Sequence, residues 1–332
     1  MSQQGARHRK RTGPVISETA KIVSPSLSFS RIDVMPIASG QTTGYKRNRY
    51  RQPHRLSPSQ TMKFFAVYCA VLSIAQAYAR PTKRAEGTGP YPAIYEVDPA
   101  LPGHTVYRPE TIPDDLKLPV VVWGNGACTA DGLAHQNSNL EIASWGIVVI
   151  AQGEPGQQGS TTAQQMTEAI DYIKSSAGSG VYANVDASRI AAAGMSCGGI
   201  EAYGQVGKVS AIGIFNSGQF DEAGTNAVVP GITVPIFFFL GGPTDIAYNN
   251  GMRDYAAVSE GIPSWVGNFP VGHGGTYNEP NGGVFGSAAQ HYFRWVLRGD
   301  TEAAEYFTGD GAASEGWTVD SKSLDRLNVT PI

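Results

Sequence analysis

The sequence predicts an α/β fold in which a mostly parallel central sheet lies between two layers of helices. Short apolar runs alternate with amphipathic stretches along residues 85–332, which is the order expected of βαβ units. The runs at 120–122, 147–150 and 236–240 are continuously apolar, as in strands that are buried on both faces. No internal repeat or linker interrupts residues 85–332, so we expect them to form a single domain.

The individual elements follow from the same patterns. Strands are predicted at residues 118–123, 146–151, 189–194, 209–215, 234–240 and 263–269. Helices are predicted at residues 136–144, 162–175, 200–206 and 286–298. The helix at 162–175 places four apolar side chains on one face at helical spacing, namely Met166, Ala169, Ile170 and Ile173.

The N-terminal part has a different composition. Residues 1–61 hold eleven Lys and Arg but only two acidic residues, and they lack an apolar period that could form a core. Residues 62–79 begin with Met-Lys, continue with a short apolar run and end in Ala-Tyr-Ala, the pattern of a secretory signal peptide. We expect translation to start at Met62 and residues 1–61 to be an over-long gene model. The alternative is a basic arm that binds nucleic acid or an anionic surface.

Residues 80–84 end in the dibasic pair Lys83-Arg84, which predicts processing to a mature chain that starts at about Ala85. The mature part carries ten Lys and Arg against 26 Asp and Glu. Nucleic acid binding needs clustered positive charge, so no nucleic-acid partner is expected. We expect a secreted, extracellular monomer with no membrane anchor after signal cleavage, and a glycosylation site at Asn328 near a frayed C-terminus.

A candidate nucleophile lies in the middle of the domain. Gly194-Met195-Ser196-Cys197-Gly198 follows a predicted strand and precedes a predicted helix, and G-x-S-x-G in this context is typical of a nucleophile elbow. Ser196 is therefore the predicted nucleophile. The backbone N–H of the next residue, Cys197, is one predicted oxyanion donor. The second is the N–H of Asn125, which follows the first predicted strand, with Gly126 as the alternative.

Two histidines follow Ser196 in the chain. His291 lies on a predicted helix face with two arginines, so we expect it to be solvated. His273 lies in a glycine-flanked loop after the last predicted parallel strand, and it is the predicted base.

The predicted acid is Asp245, which lies at the carboxyl end of the strand at 234–240. Asp221, after the strand at 209–215, is the rival. In this scheme Ser196 attacks an ester carbonyl, His273 takes its proton and Asp245 orients the imidazole.

The cysteines and possible metal ligands add two expectations. Cys69 is removed with the signal peptide, so the mature chain keeps Cys128 and Cys197. Because a cysteine pair in the oxidising environment of a secreted protein is usually bonded, we predict a Cys128–Cys197 disulfide, with two buried thiols as the alternative. No His, Asp or Glu cluster has metal-ligand spacing, so neither a metal nor another cofactor is expected.

With these motifs, the mature chain resembles the secreted cutinase-like and polyester-hydrolase (PET-hydrolase-like) branch of the α/β-hydrolases over most of residues 115–308. The matching segments are 118–126, 142–146, 194–199, 234–245, 272–273 and the predicted helix at 286–298 together with residues 295–300. Dienelactone-hydrolase-like enzymes are related, but they carry cysteine at the position of Ser196. The resemblance implies an α/β-hydrolase fold, and no long insertion that could form a large lid is present.

Two departures affect the expected substrate. Asn125-Gly126 stands where polyester hydrolases carry an aromatic residue, and Asn216-Ser217-Gly218 replaces their aromatic clamp. We expect an open cleft lined by Trp123, Phe220 and the loop at 152–160, with packing in the core as the alternative for each of the two aromatic residues. The predicted function is hydrolysis of carboxylic esters through an acyl-enzyme on the nucleophile. The alternatives are an acyl-sugar esterase or lactone-opening hydrolase on the same residues, and a non-catalytic binding protein.

Overall fold

The computed structural model describes residues 86–332, so the predictions for residues 1–61, 62–79 and 80–84 lie outside the described residues. The strands are β1 (Ala93–Glu96), β2 (His104–Pro109), β3 (Leu118–Gly124), β4 (Val148–Gln152), β5 (Val185–Met195), β6 (Ala211–Phe215), β7 (Ile236–Leu240), β8 (Ser264–Asn268) and β9 (Thr318–Lys322). The helices are α1 (Gln136–Ser144), α2 (Ala163–Ser176), α3 (Cys197–Tyr203), α4 (Glu222–Val228), α5 (Tyr248–Ala257), α6 (Gly283–Phe293), α7 (Thr301–Thr308) and α8 (Gly311–Ser314).

These strands form one sheet in the order β1-β2-β4-β3-β5-β6-β7-β8-β9. The strands from β3 to β8 pair in parallel, whereas β1, β2 and β9 pair antiparallel at the two edges. The prediction of a mostly parallel sheet is confirmed. The three antiparallel strands were not among the strands predicted from the sequence.

The sheet is covered on both faces because alternate side chains of its strands point to opposite sides. In β7, Phe237 and Phe239 pack with α6 and α7, whereas Phe238 packs on the other face with Tyr255 of α5. Each fully buried Phe contributes about 1.5–3 kcal/mol through removal of its ring from water. Helices therefore form a layer on each side of the sheet, as predicted.

The parallel strands all present their carboxyl ends at the same edge of the sheet. The chain leaves β3, β5, β6, β7 and β8 there, and β5 passes directly into α3. Loops that are distant in sequence therefore meet at this edge, which is where ligand sites of open α/β sheets form.

The C-terminal residues are held by hydrogen bonds, contrary to the expectation that they fray. The Ile332 N–H donates to the Arg298 carbonyl at 3.0 Å, and the Arg189 guanidinium donates to the Thr330 carbonyl at 2.8 Å. The helix α6 continues into a π-helical turn at Arg294–Arg298, which presents the Arg298 carbonyl to the tail. No helix among residues 86–332 is both long and apolar enough to cross a bilayer.

Candidate active site

Ser196 lies at a sharp turn between β5 and α3. Its φ of 54° is in the left-handed region, which is uncommon for a residue with a side chain. The turn needs glycine at Gly198, because a Cβ there would collide with the backbone of Gly124. The Gly198 N–H also donates to the Asn125 carbonyl at 3.0 Å. The close approach of these backbones holds Ser196 in the strained conformation expected of a nucleophile elbow.

The structure brings the predicted base and acid to this serine. His273 Nε2 lies 2.9 Å from Ser196 Oγ, and His273 Nδ1 lies 2.6 Å from Asp245 Oδ1. A carboxylate can only accept, so Nδ1 carries the proton and Nε2 is left to accept the hydroxyl proton of Ser196. The three side chains therefore form one hydrogen-bonded chain from hydroxyl to carboxylate.

Asp245 is buried and fully hydrogen-bonded. Its carboxylate accepts from the N–H groups of Ala247 (2.8 Å) and Gly241 (3.0 Å), in addition to Asn216 Nδ2 (2.8 Å) and His273. Burial by itself would raise the pKa of Asp245, but these hydrogen bonds outweigh it and hold the pKa below its ordinary value. The carboxylate is therefore charged at neutral pH and able to stabilise an imidazolium.

Asn216 was not among the predicted site residues. It follows β6 directly, and its side-chain amide contacts both Asp245 and the Gly272 carbonyl, 3.2 Å away. The signal that could have found it is its position at the carboxyl end of a buried strand, the same signal that identified Asp245.

The predicted oxyanion donors lie on two segments beside Ser196. Within the described residues, the backbone N–H groups of Cys197, Asn125 and Gly126 donate to no protein acceptor. The Asn125 side chain is fully buried, and its Nδ2 lies 2.8–3.0 Å from three carbonyl oxygens, those of Thr129, Asp131 and Gln152. That amide holds the loop after β3 in a tight curve next to the elbow.

A disulfide joins the two segments. Cys128 and Cys197 are bonded, with their Cα atoms 5.2 Å apart. Ala127 and Cys128 have φ values of 53° and 48°, so the loop after β3 is strained at two consecutive residues that are not glycine. The Thr161 N–H donates to the Cys128 carbonyl at 2.7 Å and gives the strained loop a second anchor.

A cleft of about 220 Å³ opens at Ser196 and His273. Its other lining residues are Cys197, Ile200, Asn216, Ser217, Gly218, Phe220, Ile246, Ala247 and Asn250. Phe220 and Ile246 are 79% and 80% exposed, the two highest values among the large apolar side chains of residues 86–332. The cleft therefore has an apolar rim, defined here as Phe220 and Ile246.

Part of the predicted lining is wrong, and for Trp123 the alternative of core packing is confirmed. Trp123 is fully buried, because its ring packs on Phe215 and its Nε1 donates to His135 Nδ1 at 3.1 Å. The described residues that line the cleft do not include the loop at 152–160. Phe220 does line the cleft, as expected.

The rival residues lie elsewhere in the domain. Asp221 is exposed and caps α4 by accepting from the Gly224 N–H at 2.8 Å. The expectation that His291 is solvated is wrong, because the ring is half-buried, stacks on Tyr306 and donates to the Ser287 carbonyl at 2.8 Å. Burial also lowers the pKa of His291. Neither residue contacts Ser196.

The remaining predicted positions are peripheral. Asn328 is exposed and follows a short 3₁₀ turn near the C-terminus. No group of three or more His, Cys, Asp or Glu side chains among residues 86–332 could hold a metal ion.

No protein-family model matches the chain, and no curated protein matches it in sequence.

Proposed function

We propose that the chain is a secreted serine hydrolase of the α/β-hydrolase fold that cleaves carboxylic esters. The observation that carries the proposal is the hydrogen-bonded chain Ser196–His273–Asp245 at the carboxyl edge of the sheet. The elbow geometry of Ser196 supports the same assignment. A non-catalytic binding protein would have no need of a strained serine aligned with a base and a buried carboxylate.

The proposed reaction starts when Ser196 Oγ attacks the ester carbonyl carbon and His273 Nε2 takes the hydroxyl proton. The carbonyl oxygen gains negative charge and accepts from the N–H of Cys197 and from that of Asn125 or Gly126. The imidazolium, paired with Asp245, gives its proton to the leaving alcohol, which leaves an acyl-enzyme. Water activated by the same imidazole then releases the acid and restores Ser196.

The apolar rim favours esters with an apolar group next to the scissile bond. Phe220 and Ile246 expose ring and aliphatic carbon to water, and a substrate that covers them removes that surface from solvent. A sugar would leave its hydroxyls against these side chains without partners, so the acyl-sugar esterase is the weaker alternative. A lactone-opening hydrolase would use the same steps on a cyclic ester.

Turnover of a p-nitrophenyl ester series from acetate to octanoate tests the proposal. The unmodified chain should hydrolyse these esters, and Ser196→Ala should lower kcat by roughly 10⁴-fold or more. Equal turnover by the two proteins, or none by either, would contradict an esterase function.

N-terminal sequencing of the secreted protein should find a start at about Ala85, and any peptide from residues 1–61 would contradict translation from Met62.

A further inference from the structure

Asn216 lies where three strand ends meet. It follows β6, its backbone N–H donates to the Phe239 carbonyl of β7 at 2.7 Å, and its side chain reaches towards the loop after β8. Nδ2 lies 2.8 Å from Asp245 Oδ2 and 3.2 Å from the Gly272 carbonyl oxygen. A side-chain amide has two hydrogens, so it can donate one to each oxygen. One side chain thus holds both the carboxylate and the residue before His273.

Tyr277 determines which way this amide points. Its hydroxyl donates to Asn216 Oδ1, so Nδ2 must face Asp245. Tyr277 is buried, and burial together with the charge of Asp245 raises the pKa of Tyr277 well above its ordinary value. The hydroxyl therefore keeps its proton and remains a donor. Its ring is packed edge-on against Trp123 and Phe285, which leaves the hydroxyl little freedom to move.

We propose that Asn216 and Tyr277 are positioning residues that hold Asp245 and His273 in reactive alignment. The inference rests on the proposed function. Asn216 engages Oδ2, so Oδ1 stays turned towards His273 Nδ1. Its second hydrogen holds Gly272 and limits the movement of the loop that carries His273. Tyr277 acts only through the amide.

The surroundings of Asp245 allow a pH profile to detect the loss of this alignment. Among the described residues, the titratable side chains that reach it are His273, directly, and Tyr277, through Asn216. Backbone N–H groups supply its other contacts. If the carboxylate can turn away, the imidazolium loses the charge that stabilises it. The acid limb of the pH profile of kcat/KM should then move to lower pH.

The experiment compares Asn216→Gly, Tyr277→Phe and the double variant. Glycine suits position 216, where φ is 43°, so this change removes the amide without backbone strain. The matched control is Tyr292→Phe, which removes a buried hydroxyl that donates to the Ile212 carbonyl at 2.6 Å, away from the site. Each protein is assayed on p-nitrophenyl butyrate across pH, with Ser196→Ala as the blank.

We expect Asn216→Gly to lower kcat/KM by about 10- to 100-fold, the usual effect of losing a hydrogen bond to a charged group. Tyr277→Phe should lower it less and move the acid limb in the same direction. The double variant should be no worse than Asn216→Gly alone, because the hydroxyl acts through the amide. Tyr292→Phe should leave both kcat/KM and the pH position of the acid limb unchanged.

Effects that multiply in the double variant, or an acid limb that does not move, would overturn the inference. The downfield NMR resonance of the His273 Nδ1 proton is a second readout that needs no substrate. It should be present in the unmodified chain and in Tyr292→Phe, and weakened or shifted in Asn216→Gly. An unchanged resonance in Asn216→Gly overturns the positioning role, whereas absent Ser196-dependent turnover in the unmodified chain overturns the proposed function.

Discussion

Removal of the Cys128–Cys197 disulfide should lower both stability and turnover. The bond closes a loop across 69 residues of sequence, and the chain-entropy relation gives about 4 kcal/mol of stabilisation for a loop of that size. For a domain of this length each kcal/mol shifts Tm by about 2–4 °C. Replacing Cys128 and Cys197 together by serine should therefore lower Tm by roughly 10 °C.

The effect on turnover comes from the strained loop. Left-handed φ values at Ala127 and Cys128 each cost about 1–3 kcal/mol, and the disulfide is one of the anchors that keep the loop in that conformation. Without it, the N–H of Asn125, or that of Gly126, should move away from the proposed oxyanion position. We expect kcat to fall by about 10-fold or more with a smaller change in KM.

Both quantities are measurable on the same samples. Thermal unfolding gives Tm, and ester turnover at a temperature well below either Tm gives kcat. The unmodified chain treated with a dithiol reductant is the control, and it should reproduce the double variant. A Tm within about 2 °C of the oxidised protein would refute the stability estimate. An unchanged kcat in a destabilised variant would refute the oxyanion role proposed for this loop.

Three further changes test other parts of the structure. Burial raises the pKa of Glu201, which lies 3.5 Å from Cys128 Sγ, above its ordinary value of about 4.5. The folded protein therefore loses stability as pH rises above about 4.5, because the charged carboxylate is disfavoured where it is buried. Glu201→Gln should raise Tm relative to the unmodified chain at about pH 8 but not at about pH 4. Phe220→Ala should lower kcat/KM by about 10-fold for octanoate esters but little for acetate, whereas Val181→Ala, at a 53% exposed position, should change neither. Asp254 is fully buried and accepts three hydrogen bonds of 2.6 Å, so Asp254→Ala should lower the free energy of unfolding by about 3 kcal/mol or more in urea denaturation.

The parallel part of the fold could be predicted because its strands are apolar on both faces. The run at Ile236–Leu240 has five fully buried residues, and a continuous apolar run of this length is typical of a strand that is buried on both faces. The edge strands carry no such signal. Four of the five residues of β9 are exposed, so its pairing with β8 depends on tertiary contacts rather than on its own pattern.

The candidate site could be predicted only where local chemistry marks it. Ser196 is marked by its glycines, and His273 and Asp245 by their places after strands. Asn216 has an ordinary loop sequence, and its importance comes from a hydrogen bond to a residue 29 positions away. The error at Trp123 has a similar cause, since nothing in its local sequence distinguishes a ring that faces the cleft from one that packs on Phe215.

Covalent labelling with a fluorophosphonate tests the central claim most directly. The reagent reacts with a serine only when a base activates it and an oxyanion hole receives the phosphoryl oxygen. Peptide mapping by mass spectrometry should place one adduct on Ser196, and Ser196→Ala should take up none. An unlabelled native chain, or an adduct on a different residue that persists in Ser196→Ala, would contradict the assignment of Ser196 as the nucleophile.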